Sequence, residues 1–255
     1  MIYEVRGSEK INRIFAGWNE TMIWSCLQGV MGRLYADSED APSSAMAILG
    51  SFCFLAGRPS MELVSFKPDW CCQDYIIMVP SSREWIPLIG SAYAGRAFPT
   101  TRYAFRKDPD AFDREKLAAI SEKAEKPFYL RFIDRELFAV CRDQGWCRDF
   151  VALYDGYDMY ERMGLGVAAM YGGEIVAGAS SYSRYRGGIE IEIDTRKDYR
   201  RRGLAAACGA KLILECLSRG LYPSWDAANL RSVALAEKLG YVLDREYAAY
   251  EICGY

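Results

Sequence analysis

The feature that constrains the fold most is a run of three arginines at the start of an apolar helix. Arg200-Arg201-Arg202-Gly203 precedes residues 204–219, whose apolar spacing predicts a helix. Cations at the positive end of a helix dipole cost about 0.3–1 kcal/mol each. No Ser, Thr, Asp or Asn stands at positions 199–203 to accept a hydrogen bond from the first amides. A helix start of this kind calls for an anion.

A phosphate or pyrophosphate would satisfy this helix start. The amides of Gly203, Leu204 and Ala205 would donate to the anion, while the arginines neutralise its charge. Gly203 and the small residues 205–207 would let the backbone approach the ligand closely. The alternative is a solvated basic turn with Gly203 as a flexible joint, and the loop alone does not decide between the two.

The surrounding segments predict a mixed α/β fold. Strands are expected at 165–170, 174–182 and 189–195, joined by glycine-containing turns. The helix after the arginine loop leads to a strand at 221–225, a helix at 229–239 and one or two closing strands within 242–252. This order describes an antiparallel meander, a crossover helix and a parallel strand.

Composition excludes several classes of function. A net charge of −2 disfavours binding to nucleic acid, which needs a basic surface. The chain has no histidine and no Cys-x-x-Cys pair, so no metal site and no Ser-His-Asp or Cys-His catalytic group is expected. The nine cysteines are scattered, as is typical of reduced thiols, and residues 1–6 show no signal-peptide pattern. The longest apolar stretch (45–57) is shorter than the ~20 residues of a membrane span. We therefore expect a cytoplasmic protein without membrane contact.

Two motifs at matching separation carry a family resemblance. The pattern Arg-x-x-Gly-x-Ala at 200–205, after a strand and before a helix, is followed by Asn229 and, eleven residues later, by Gly240-Tyr241. This combination resembles the acetyl-coenzyme A signature of the GNAT superfamily of N-acetyltransferases. Residues 189–195 and 223–229, on either side of the loop helix, look like the zwittermicin A resistance type within it.

The resemblance implies a C-terminal GNAT fold, acetyl-CoA (CoA) as cofactor and an amine of a small molecule as acceptor. In the resistance protein the acceptor is an amine on an aminopolyol antibiotic. In the superfamily, the strand before the loop binds the thioester carbonyl and pantetheine through its backbone, which by position means Ile193, Asp194 and Thr195 here. The alternative is an ordinary paired strand. Asn229 is expected to cap its helix and, in addition, to contact the coenzyme.

A carboxylate is the expected general base, because the attacking amine must lose a proton and histidine is absent. Strand alternation places Glu190, Glu192 and Asp194 on one face, where they would attract a cationic amine. A solvent-facing strand looks the same, so both interpretations stay open. Glu192 is the preferred base, because it is nearest the presumed carbonyl-binding residues without competing with them, and Glu190 is the second candidate.

One position departs from the family pattern. Many GNAT enzymes have a tyrosine that protonates the leaving thiolate where this chain has Ala236. Ser232, Tyr241, Tyr250 or water could replace it, or the thiolate could leave unprotonated. The departure leaves two functions open: an N-acetyltransferase that transfers acetyl directly to the amine, and a non-catalytic protein that binds or senses CoA. A nucleotide-phosphate binder is disfavoured because the loop lacks a Gly-Lys-Ser/Thr ending.

The N-terminal half is predicted as a separate α/β domain, residues 1–126, before a GNAT domain at 127–255. A helix is expected at 9–31, strands at 33–36, 46–56, 75–79 and 97–106, and helices at 83–92 and 112–125. This order echoes the second half, which suggests a degenerate GNAT-like copy. Residues 81–85 offer no glycine loop, so no coenzyme site is expected there. Both a monomer and a homodimer remain compatible with the sequence.

Overall fold

A computed structural model describes residues 1–124 and 126–255 and divides the chain into two compact units. The first unit consists of Met1–Arg102 with Glu246–Tyr255, and the second consists of Tyr103–Arg245. No helix within the two described ranges is long and apolar enough to cross a membrane.

The first half of the chain contributes six strands and four helices to the described structure. They are β1 (Tyr3–Val5), α1 (Glu9–Ile14), α2 (Thr21–Leu27), β2 (Arg33–Ala36), β3 (Ser44–Leu49), β4 (Phe52–Gly57), α3 (Met61–Val64), β5 (Tyr75–Pro80), α4 (Ile86–Ala92) and β6 (Ala97–Phe105).

The second half contributes seven strands and five helices within the described ranges. They are α5 (Arg114–Ser121), β7 (Tyr129–Phe132), α6 (Arg135–Asp143), α7 (Tyr157–Met163), β8 (Gly166–Tyr171), β9 (Glu174–Tyr185), β10 (Gly188–Thr195), α8 (Leu204–Ser218), β11 (Tyr222–Ser224), β12 (Asp226–Ala227), α9 (Leu230–Lys238) and β13 (Leu243–Cys253). The boundary between the two compact units falls within β6 and β13.

The second unit is built on a five-stranded sheet in the order β11-β10-β9-β8-β7. β10 pairs with β11 in parallel, and the other neighbours are antiparallel. α8 packs on this sheet because its Leu212 and Ile213 are buried in one apolar cluster with Ile189 and Ile191 of β10. The mixed α/β architecture predicted from the sequence is therefore confirmed.

The first unit repeats the topology of the second. Its strands follow the order β1-β2-β3-β4-β5, with only β4 and β5 parallel, and the C-terminal part of β13 pairs with β5. In each unit a strand and two helices precede three antiparallel strands, a crossover helix and a parallel strand. The order of elements that the sequence predicted to recur in both halves is thus present in the structure.

The repeat corrects one comparison made from the sequence. The arginine loop lies between β10 and α8, so its counterpart lies between β4 and α3, at residues 58–60, and not at 81–85 after β5. There the Ser60 side chain caps α3 by accepting from the Leu63 amide, and α3 has only four residues. A helix start that is capped by its own chain has less need of an anion.

Several elements predicted for residues 1–126 have different limits in the structure. The predicted helix at 9–31 is wrong, because a turn with Gly17 at φ 79° separates α1 from α2. The predicted strand 46–56 is two strands, β3 and β4, joined by a turn at Gly50. The predicted helix 112–125 is observed as α5, and its predicted end at residue 125 lies outside the described residues.

Two observations bear on the predicted domain limits. α5 packs against α8 and therefore belongs to the second compact unit, while residues 246–255 belong to the first. These geometric units differ from a division after residue 126, which stays a prediction about domain organisation. The elements β7, α6 and α7 had no counterpart in the sequence-based assignment, although Asp134 before the apolar Leu137, Phe138 and Cys141 is a helix-start pattern.

Candidate functional site

The site begins where two parallel strands part. β11 pairs with β10 only from Gly188 to Glu190 and ends at Ser224. β10 continues to Thr195 and stays paired with β9 on its other side. Beyond Glu190, β10 is therefore no longer paired with β11, and the backbone groups on this edge of β10 are available to a ligand.

A cavity of about 420 Å³ lies along this released edge. Its walls are the end of β10, the loop and first turn of α8, and one face of α9. The predicted coenzyme residues that line it are Ile193, Asp194, Thr195, Arg200, Arg201, Gly203, Leu204, Ala205 and Asn229. Residues of the arginine loop and Asn229, which belong to two motifs separated in the sequence, therefore line the same cavity.

The helix start in this cavity has the geometry expected of an anion site. Gly203 is the N-cap of α8 with φ 77°, a left-handed conformation that glycine adopts at little cost, and no side chain caps the helix. Arg201 also has a positive φ of 62°, which is unusual for a residue with a side chain. Gly203, Leu204 and Ala205 line the cavity at this uncapped helix start, and anion binding by their amides stays a prediction.

The three arginines of the loop differ in their surroundings. Arg200 donates from Nε to the Thr195 carbonyl at 3.1 Å, and its Nη2 lies 3.5 Å from Asp194 Oδ1. Arg201 lines the cavity. The Arg202 guanidinium lies over the rings of Phe128 (5.8 Å) and Tyr199 (5.5 Å), and Arg202 is outside the cavity wall. Arg202, although predicted as a coenzyme ligand, is thus engaged in cation–π contacts.

A buried hydroxyl marks the end of β10. Thr195 is 8% exposed and lines the cavity. Its Oγ1 is buried, and no group of the described chain forms a hydrogen bond with it. Such a hydroxyl destabilises a fold by about 1–3 kcal/mol unless a partner satisfies it. A polar ligand in the cavity would supply that partner.

α9 supplies cations that the sequence analysis missed. Asn229 caps the helix through Oδ1, which accepts from the amides of Arg231 (3.0 Å) and Ser232 (3.1 Å). Arg231 and Lys238 lie seven residues apart on the face that lines the cavity, and neither forms an ion pair within the described ranges. Their separation of seven residues, which places both on one face of a helix, was the available signal. With Arg200 and Arg201 they give the cavity four cations in a chain of net charge −2.

The candidate proton donors are separated by the fold. Ser232 lines the cavity, and its Oγ accepts from Trp225 Nε1 at 3.1 Å. Trp225 is 2% exposed, as expected of a core residue. Tyr241 is buried and donates its hydroxyl to the Pro223 carbonyl at 2.6 Å, so that hydroxyl is already engaged. Tyr250 belongs to the first compact unit.

The two candidate bases lie outside the cavity wall. Glu190 is 5% exposed and stands in register with Ser183 of β9 and Ser224 of β11. Glu192 is half-buried opposite Ser180, beyond a register shift that follows Glu190. Their positions on the same strand as the cavity-lining Ile193 to Thr195 are as predicted, whereas their role as a base stays a prediction.

Asp149 is a carboxyl that the sequence analysis did not single out. Asp149 keeps an exposed side chain, but partial desolvation by its neighbours raises its pKa above the ordinary value; the Arg148 charge opposes this shift, and the Asp194 charge adds to it. Asp149 does not line the cavity but interacts electrostatically with Asp194, which does. Carboxyls with perturbed pKa values are candidates for acid–base chemistry. The sequence offered no signal for Asp149, because it lies in a short 3₁₀ turn, Arg148–Phe150, outside every assigned motif.

Comparison with known proteins agrees with this geometry. The family model for GNAT acetyltransferase matches residues 12–250. The chain is 24% identical over 242 residues to the uncharacterized N-acetyltransferase YdfB of Bacillus subtilis (strain 168), covering 90% of this chain and 89% of that protein.

Two solved structures share the architecture. A GCN5-related N-acetyltransferase-like protein from Streptococcus suis 89/1591 is 45% identical with a TM-score of 0.90, covering 95% of this chain and 96% of the other. A tandem GNAT protein from the clavulanic acid biosynthesis pathway is 10% identical with a TM-score of 0.50, covering 100% and 98% of the two chains. The second likeness concerns the fold alone.

Proposed function

The chain belongs to the GNAT acetyltransferase family, and from this premise we propose that it transfers an acetyl group from acetyl-CoA directly to an amine of a small molecule. The observation that carries the proposal is the uncapped start of α8, which opens with two cavity-lining arginines beside the released edge of β10. This arrangement accommodates a pyrophosphate and an extended chain leading away from it.

The residues present fit acetyl-CoA, which members of the family use. The amides of Gly203 to Ala205 and the charges of Arg200 and Arg201 would hold the pyrophosphate. The buried Thr195 hydroxyl, which lacks a partner among the described residues, would bond the coenzyme. Arg231 and Lys238 add charge for a further phosphate, since CoA carries one on its ribose.

When bound, acetyl-CoA supplies an acetyl thioester as the acyl donor. The backbone of Ile193 to Thr195 lies along the cavity, and the amides of Ile193 and Asp194 are the candidate donors to the thioester carbonyl oxygen, because the Thr195 amide already donates to Asp194 Oδ1 at 2.6 Å. Fixed amides stabilise the negative charge that develops on such an oxygen more effectively than water does, because they need no reorientation. In this assignment the end of β10 both positions and activates the acyl group.

Glu192 is the proposed general base for the amine, with Glu190 as the second candidate. Glu192 is the more accessible of the two, because Glu190 is 5% exposed. A carboxylate that accepts the amine proton, directly or through water, is sufficient for this reaction. Asp149 is a third carboxyl near Asp194. An aminopolyol antibiotic of the zwittermicin type remains one candidate among small-molecule acceptors.

A second function, binding or sensing of CoA without turnover, rests on Ala236. Ala236 is fully buried in the apolar core, does not line the cavity and carries no proton donor. The two functions differ in a simple assay, because only the enzyme releases free thiol from acetyl-CoA in the presence of an acceptor. Thiol release across a panel of primary amines, including an aminopolyol, would test the proposal.

Acceptor-dependent thiol release above the rate in water supports the acetyltransferase. Tight binding of acetyl-CoA without release on any amine of a broad panel supports the sensor. Absence of binding contradicts both assignments, because each depends on the α8 loop.

A further inference from the structure

The third arginine of the loop makes contacts that the proposed function does not use. Arg202 lies outside the cavity wall, and its side chain is exposed. Its guanidinium lies over the rings of Phe128 and Tyr199, 5.8 and 5.5 Å from their centroids. Arg202 forms no ion pair with any residue in the described ranges. Its position is therefore set by aromatic rings and not by a carboxylate.

The rings that contact Arg202 belong to an aromatic cluster, which we define as Phe128, Tyr171 and Tyr199. Their centroids lie 5.3–6.0 Å apart. Arg196 lies over the Tyr199 ring at 4.5 Å. A guanidinium group is planar and stacks on aromatic faces, so the cluster restricts the positions that the Arg202 group can take. The side of this group that faces solvent remains accessible to a second planar ring.

The aromatic cluster and α9 lie on different sides of the arginine loop. Tyr199 connects the cluster to the cavity, because it also lines the cavity wall. Phe128 directly precedes β7 and Tyr171 ends β8, and both strands lie beyond β9 in the sheet. The wall that contains Arg231 and Lys238 borders the other edge of β10, where β11 departs. A ligand held at the loop can therefore contact both sides.

The nucleotide of CoA has two groups that point in different directions. The base is attached to C1′ of the ribose and the phosphate to C3′, and they project from opposite faces of the sugar. The proposed function places the ribose phosphate near Arg231 and Lys238 on α9. A ribose with its phosphate towards α9 directs its base away from α9, towards the aromatic cluster. Nucleobases stack on aromatic rings and on arginine, because every base has a flat face.

We infer, on the basis of the proposed function, that the adenine base of CoA stacks on the Arg202 guanidinium, which Phe128 and Tyr199 hold in position. The loop arginines then have different tasks. Arg200 and Arg201 face the pyrophosphate in the cavity, whereas Arg202 binds the base outside it. Arg202 is a specificity-determining residue in this assignment, since it selects a coenzyme by the area of its base, and Phe128 is a positioning residue.

Calorimetric titrations with two coenzymes that differ only in the base test this contact without an acceptor. The ligands are CoA and an analogue in which uracil replaces adenine, so that both carry the same ribose, phosphates and thiol. The single ring of uracil offers less area for stacking, so the unmodified protein should bind CoA about tenfold more tightly. Arg202→Lys keeps the charge but removes the planar group, and it should reduce this preference to within about twofold.

Two further substitutions control the result. Arg135→Lys is the matched control, because Arg135 is also an exposed arginine over a tyrosine ring (Tyr157, 4.5 Å) and lies outside the cavity wall. It should keep the full preference. Phe128→Leu removes one ring beneath the guanidinium and should give an intermediate preference, which Phe128→Tyr should restore. Each result is a ratio of two affinities for one protein, so a general loss of binding cancels.

The outcomes separate the base contact from the proposed function. Full preference in Arg202→Lys, or equal affinity of the unmodified protein for both coenzymes, overturns the contact and leaves coenzyme binding intact. If Arg202→Gln weakens both coenzymes equally while Arg202→Lys weakens neither, the charge contacts a phosphate, which also overturns it. Full preference in Phe128→Leu overturns the positioning role of Phe128. No binding of either coenzyme to the unmodified protein contradicts the proposed function itself.

Discussion

Replacing Thr195 with valine should have opposite effects on the stability of the free protein and on its affinity for coenzyme. The Thr195 side chain is 8% exposed, and its Oγ1 is buried without a partner in the described chain. Valine has the same shape and removes the unsatisfied hydroxyl, whose burial costs about 1–3 kcal/mol. The ligand-free variant should therefore be more stable by about 1 kcal/mol, equivalent to about 2–4 °C in melting temperature for a domain of this size.

The same substitution should weaken coenzyme binding, because the hydroxyl that the ligand would satisfy is gone. A neutral hydrogen bond contributes about 0.5–1.5 kcal/mol, which corresponds to between about twofold and tenfold in the dissociation constant. Thermal melts without ligand and calorimetric titration with acetyl-CoA measure the two effects. Thr195→Ser keeps the hydroxyl and should retain affinity. A valine variant that is less stable and binds acetyl-CoA normally would refute this reasoning.

Further predictions concern the base, the coenzyme phosphates and the fold. Glu192→Gln should lower turnover most at low pH, where the amine has no substitute base, while calorimetry shows unchanged acetyl-CoA affinity; an unaltered pH–rate profile assigns the base elsewhere. Arg231→Gln or Lys238→Gln should lower the affinity for CoA by about tenfold and the affinity for 3′-dephospho-CoA by less, because a charge-assisted bond to the ribose phosphate is lost. Paired titrations with the two ligands measure this difference, and equal losses contradict that contact. Asp134→Ala should destabilise the protein by about 1 kcal/mol in thermal melts, because Asp134 caps α6 through the Leu137 amide. Burial alone would raise the Asp134 pKa, but its hydrogen bonds hold it below the ordinary value, so this stabilisation is present above the ordinary pKa and is lost as pH falls through the lowered one.

The sequence predicted best the features that depend on neighbouring residues, such as helix caps and turns. The missing cap, the three arginines and Gly203 predict the start of α8 within a residue, because each acts on the helix terminus itself. Asn229 is identified as a cap for the same reason. The strands around the loop follow from apolar alternation and glycine turns. These local signals account for most of the cavity wall.

The sequence was less informative where tertiary packing decides. The residues at 9–31 have helical spacing throughout, yet the chain turns at Gly17 and forms two short helices. Arg202 carries the same charge as its neighbours, but its contact with Phe128 comes from a distant segment that no local pattern relates to the loop. The pKa of Asp149 is raised by partial desolvation from its neighbours and by the charge of Asp194, and neither influence can be deduced from spacing.

The central claim is that the start of α8 binds the pyrophosphate of acetyl-CoA. Calorimetric titration of acetyl-CoA into the unmodified protein and into Gly203→Glu tests it most directly, because glutamate places bulk and negative charge at the N-cap. Gly187→Glu is a matched control, since Gly187 also has a positive φ (95°) with open space around an added Cβ, and it lies outside the cavity. We predict binding to the unmodified protein and to Gly187→Glu and none to Gly203→Glu. Equal affinity in all three would contradict the assignment of the loop.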